Sequence, residues 1–198
     1  MPLTPLAVHD LTESVLGCVC AALQTAADEV DGQPGCPCRT CVVPGAVAWD
    51  SCDDPCGGEG DGGQLSVNVL RLWPSDAMGF PAEDRTVMGT RQCTPPTMTA
   101  AELAVTLLRC APTTDDGGCP PSCDELGTAA RIAHVDAVTV YNALYCCLPG
   151  TSTRRRGRQF VVGQQRIIGP EGGCVGVEQR VTVALPGCAP CPTEEKTL

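Results

Sequence analysis

Between Glu102 and Cys110 the apolar side chains Leu103, Val105 and Leu107 alternate with Ala104, Thr106 and Leu108, a period of two that predicts a strand with one well-buried face. Ala111-Pro112 ends it. Asp115-Asp116-Gly117-Gly118 then supplies turn chemistry and Pro120-Pro121 prevents an early helical start. Ser122 and Glu125 fit a capping box, in which the two side chains satisfy each other's orphan backbone donors, so a helix is predicted from about Cys123. Downstream, Leu126, Ala129, Ala130, Ala133, Ala137, Val140, Tyr141, Leu144 and Leu148 recur at spacings of three and four, with Arg131, His134, Asp136 and Asn142 largely off that stripe. A helix over 123–148 would be roughly 39 Å long, enough to cross a small sheet, and Pro149-Gly150 closes it.

The same reading extends in both directions. Thr4-Pro5 reads as an N-cap with proline at the first helical position. Val8, Leu11, Val15, Cys18, Val19, Ala22 and Leu23 follow with helical spacing, predicting a helix from about Pro5 to Val30. From Gly35 to Gly63 the chain holds seven glycines, three prolines and five cysteines, a composition suited to a loop with one short extended piece at Ala46 to Trp49. Gln64 to Trp73 alternates as a strand, expected to pair antiparallel with the strand at 102–110. After the second helix, Gln159 to Ile168 predicts a third strand, Gly169-Pro170-Glu171-Gly172-Gly173 a hairpin turn, and Gly176 to Leu185 a fourth strand. The expected fold is therefore a single α+β domain over 1–198, ordered α-β-β-α-β-β, with two helices on one face of an antiparallel four-stranded sheet. A Cys/Gly/Pro-rich loop at 31–63, a second long connection at 74–99 and a flexible tail at 187–198 complete it.

Six aromatic residues in 198 imply a core of Leu, Val, Ile and Ala. No run of about 18 apolar residues is present and the N-terminus lacks a signal-peptide pattern, so a soluble protein made in the cytoplasm, without membrane contact, is expected. A net charge of −10 argues against general nucleic-acid binding, which gains affinity by neutralising phosphates, but leaves room for contact with DNA that must slide. One lysine against twelve arginines, with abundant Ala, Gly and Pro, reads as a high-GC coding bias. Sixteen cysteines suit a short secreted scaffold better than this chain. Cys18, Cys110 and Cys146 or Cys147 sit within apolar patterns, where a free thiol packs as a small hydrophobe.

Candidate chemistry is sparse. Cys36, Cys38, Cys41, Cys52 and Cys56 have the density of a metal site, but only Cys38 and Cys41 show the C-x2-C spacing of a zinc knuckle. Disulfides and simple thiols are the alternatives, and no metal or other cofactor is assigned. His9 and His134 lie in helical patterns without a nucleophile signature, so no catalytic residue is assigned and no enzyme activity is expected. The acidic residues between Asp50 and Asp61 lack EF-hand spacing and read as a solvated loop. Arg154, Arg155, Arg156 and Arg158 form the sharpest charge feature, either an exposed connection or an interface for an acidic partner, a neighbouring subunit or DNA phosphate.

Several of these pieces together resemble a neck-protein family of long-tailed actinobacteriophages. They are Pro37-Cys38-Arg39 to Pro44-Gly45 with Trp49-Asp50 and Cys52, then Gly63-Gln64-Leu65, Trp73-Pro74-Ser75, and Glu102-Leu103 to Pro112. Pro120-Pro121 to Leu126, Cys146-Cys147 and Gly169 to Gly176 continue the likeness, which spans roughly residues 36–183. The element order is similar to that of the siphovirus tail terminator. The resemblance implies a structural virion protein, assembled in the host cytoplasm, whose six copies form a ring that caps the tail tube. That ring would join the tube protein to the head-closure or connector complex and let genomic DNA pass. A head-closure or head-to-tail connector protein is the alternative within the virion, and a zinc-binding interaction module centred on Cys36 to Cys56 is the alternative of another class.

Overall fold

The computed structural model describes residues 3–46, 62–85, 97–114, 118–150, 159–171 and 173–187. Its elements are α1 (Ala7–Glu29), β1 (Arg39–Val42), β2 (Gln64–Ser75), β3 (Met98–Cys110), α2 (Cys123–Gly150), β4 (Phe160–Glu171) and β5 (Cys174–Pro186). The class is α+β, as the periodicities predict, but the sheet has five strands in the order β1-β2-β3-β5-β4. The added strand is short and pairs parallel with β2, Arg39 opposite Gln64 through Val42 opposite Val67, so the sheet is not wholly antiparallel. Four residues in a Cys- and Pro-rich stretch carry too little periodicity to announce a strand; β1 exists through its pairing with β2. The extended piece expected at Ala46 to Trp49 falls mostly outside the described residues.

β3 is the central strand. It pairs antiparallel with β2 on one side and with β5 on the other, Leu103 opposite both Val69 and Val181, and Leu107 opposite both Leu65 and Val177. These residues share one face because strand side chains alternate, and α1 and α2 cover that face. Leu11, Val15, Val19 and Leu23 of α1 and Val140, Ala143, Leu144 and Leu148 of α2 join Val105, Val181 and Val183 in one buried aliphatic core. At about 25 cal/mol per Å² of buried apolar area, such a layer is the main term stabilising the domain.

The capping box forms as its sequence demands. The Ser122 backbone N–H donates to Glu125 Oε2 at 2.7 Å, and the Glu125 N–H donates to Ser122 Oγ at 3.2 Å. The start of α1 differs from expectation. Leu6, not Thr4, is the N-cap and makes no side-chain cap hydrogen bond, while the Thr4 carbonyl accepts from Ala7 N–H. The turn is shorter than the expected 169–173: β4 runs on through Gly169, at φ +91°, and the hairpin turns at Gly173, at φ +74°, both in a left-handed region in which a side chain is strained.

Two disulfides brace the helical layer. Cys18 of α1 is bonded to Cys147 of α2, and Cys20 of α1 to Cys36 just before β1. Cys18 and Cys147 are therefore not free buried thiols, and Cys110 and Cys146 are exposed. Apolar surroundings are equally compatible with a thiol and with a disulfide, which is why the pattern alone misleads.

Candidate functional site

The sequence candidates do not converge. Cys36 is bonded to Cys20, and Cys38 is also disulfide-bonded, so neither offers a thiolate to a metal. Cys41 is a free thiol on β1, and Cys52 and Cys56 lie outside the described residues. No group of three or more His, Cys, Asp or Glu side chains among the described residues is placed to hold a metal ion. Arg154, Arg155, Arg156 and Arg158 also lie outside the described residues. His9 is exposed, 3.9 Å from Glu13 one helical turn on, and His134 is exposed on α2.

Two other arrangements stand out. The first lies where the helix-covered face ends. There Arg109 follows Leu103, Val105 and Leu107 on the same side of β3 and meets Asp136 of α2, the two being 7% and 2% exposed. Arg109 Nε donates to Asp136 Oδ2 at 3.0 Å and its Nη2 to the Gly35 carbonyl at 2.8 Å, while Gln33 Nε2 donates to Asp136 Oδ1 at 2.8 Å. Burial pushes the Asp136 carboxyl above its ordinary value, against the opposing pull of Arg109 and Gln33. The network ties the segment leading into β1 to β3 and α2. It also floors a cleft of about 710 Å³ walled by Pro34, Pro112, Ala129, Ile132 and Val177. The helical periodicity set Asp136 aside as off the buried stripe; the partner that explains its burial is 27 residues away in sequence.

The second lies on the sheet face that the helices do not cover, where charges alternate across four strands. Arg71 of β2 donates to Glu102 of β3 at 2.6 Å, and Glu102 lies 3.9 Å from Arg180 of β5. Arg180 is 3.3 Å from Glu178, which Arg166 of β4 meets at 3.0 Å. Three arginines and two glutamates thus form one ladder that runs obliquely across the strands. Arg71 also lies 4.2 Å over the Trp73 ring, a cation–π contact on the same face. Beside the ladder the small or polar residues Ser66, Asn68, Ala104 and Thr106 are buried. The ladder residues were each visible in the sequence; only the register of β2, β3, β5 and β4 lines them up.

No protein-family model matches the chain, and no curated protein aligns with it.

Proposed function

We propose that this chain is a structural virion protein of a long-tailed bacteriophage, a tail terminator whose copies close into a ring on the end of the tail tube. The observation that carries the reading is the layering: α1, β2, β3, α2, β4 and β5 follow the order of the tail-terminator resemblance, with both helices on one face. The four-residue β1 is the addition. A repeated heterologous contact whose rotation closes gives a ring, and an acidic chain of net charge −10 leaves passing DNA free to slide. The role is assembly without catalysis, with the tail tube protein on one side and the head-closure or connector protein on the other.

Native mass spectrometry under non-reducing conditions, followed by tube-length measurement in the presence of the protein, tests this. The expected result is a metal-free hexamer that stops tail-tube polymerisation. A monomer carrying one zinc, or a protein that leaves tube length unchanged, overturns it. Replacing Arg154, Arg155, Arg156 and Arg158 with serine reports separately on the basic connection: unchanged assembly and partner binding would remove it from the interface.

A further inference from the structure

Three of the six aromatic residues in the chain gather at one flank of the sheet, on its surface. Tyr141 and Tyr145 sit one turn apart on α2 with ring centroids 5.2 Å apart and their hydroxyls 3.2 Å apart. Phe160, the first residue of β4, packs edge-on against Tyr145 at 5.8 Å. Val138 continues the stripe along α2, and Ile167 lies on the helix-covered side of β4. These two and the tyrosines are 41–60% exposed. β4 is the last strand of the sheet, so α2 overhangs a strand edge with no described strand beyond it. An exposed patch built of tyrosine and branched aliphatics is the composition that anchors protein interfaces.

The opposite flank carries an apolar patch at the same level. β1 covers only Gln64 to Val67 of β2, and Asp84 N–H reaches the Pro74 carbonyl. Between these points Leu70 and Leu72 are 40% and 48% exposed. The register fixes their height: Leu72 lies opposite Ala101, Ala101 opposite Val183, and Val183 opposite Phe160. Leu72 and Phe160 are thus the two ends of one row across the sheet. A second copy displaced sideways along that row brings its Leu72 to the Phe160–Tyr145 corner of the first. Charge runs the same way. α1, beside β2, exposes Asp10, Glu13, Asp28 and Glu29, whereas α2 has no carboxylate after Asp136 and the sequence leading from it into β4 carries four arginines.

We propose that the α2–β4 flank, anchored by Tyr141, Tyr145 and Phe160, docks the β2 flank of a second copy at Leu70 and Leu72. The contact is heterologous: each copy has one flank of each kind, so the contact repeats around an assembly. Its closure into a ring rests on the tail-terminator reading; the pairing of unlike flanks does not. Matching two α2–β4 flanks would leave Leu70 and Leu72 uncovered, and matching two β2 flanks would leave Tyr141 and Tyr145 uncovered.

The test uses two variants of the full chain with substitutions at exposed positions, Leu72→Asp and the double variant Tyr141→Asp/Tyr145→Asp. Circular dichroism and melting confirm that both remain folded. Each is expected to shift the half-assembly concentration by at least about tenfold and to run as a monomer where the wild type assembles. Mixed in equal amounts they are expected to form a one-to-one heterodimer and nothing larger, because each retains the flank that the other has lost. A wild type that stays monomeric at its highest soluble concentration, a Leu72→Asp variant that still self-associates, or a mixture without heterodimer would each overturn the pairing. An assembly that behaves as described but leaves tail-tube length unchanged would overturn the terminator reading alone.

Discussion

The two faces of the sheet are built from alternate residues of the same strands, yet they are held by different physics. On the helix-covered face, Leu65, Leu103, Leu107 and Val181 are stabilised by removal from water beneath α1 and α2. On the other face, Arg71, Glu102, Arg180, Glu178 and Arg166 remain partly hydrated and are matched to one another. Exposed ion pairs stabilise little, with a median near 0–1 kcal/mol each. Most of the apolar burial thus lies beneath the helices, with a smaller cluster of Leu108, Ile168 and Cys174 on the other face beside the charges.

The sharpest way to break this division is at the end of the covered face, where charge has entered the apolar layer. Arg109→Met strands the Asp136 carboxylate in a buried site and is expected to cost about 3–5 kcal/mol by chemical denaturation. The double variant Arg109→Met/Asp136→Leu is expected to recover much of that, because it removes both charges. Leu103→Ala, at the centre of the core, is expected to cost about 2–5 kcal/mol by the same measurement. Removing the Cys18–Cys147 bond by Cys18→Ser/Cys147→Ser is expected to lower stability by about 2–5 kcal/mol, since the bond closes a separation of 129 residues. On the open face, Glu102→Gln is expected to cost no more than about 1 kcal/mol, and a larger loss would show that the ladder acts as a structural unit.

The smallest effect separates two carboxylates on α2 by the sign of their pH dependence. Asp136 is held above its ordinary value of 3.8 by burial, so the native state keeps its proton longer than the unfolded chain. Its contribution makes stability fall as pH rises from 3.8 through the raised native value. Glu125 is held below its ordinary value of 4.5 by hydrogen bonds from the Ser122 backbone and hydroxyl. Its contribution is present above 4.5 and is lost as pH falls through the lowered native value. In melts across the acid range, Asp136→Asn and Glu125→Gln are expected to change the slope in opposite directions.

What could be read from the sequence follows the range of the forces involved. β2, β3 and the β4–β5 hairpin announce themselves because alternation and turn residues act within a few positions, and Ser122 with Glu125 marks the start of α2 for the same reason. The stripe on α2 is less faithful: Leu126 and Tyr141 are exposed, while Asp136 is buried. Tyr141 faces outward beside Tyr145, and Asp136 faces inward because Arg109 waits there. β1, the Gln33–Asp136 hydrogen bond and the Cys18–Cys147 and Cys20–Cys36 disulfides depend on partners brought together by the completed fold. No local pattern encodes them. The open-face ladder is intermediate, since its residues are evident but their alignment needs the strand order β2-β3-β5-β4.

The Cys18–Cys147 bond also changes what a break in the backbone means. It closes the chain into a covalent ring that contains the later part of α1, all of β1, β2 and β3, and most of α2, with β4 and β5 outside it. A single proteolytic nick between those cysteines leaves both pieces joined through sulfur. A nick after Cys147 falls outside that ring, where β5 is held by its pairing with β3 and by a disulfide at Cys174. A cut before Cys147 is thus bridged by that bond, whereas one after it is not.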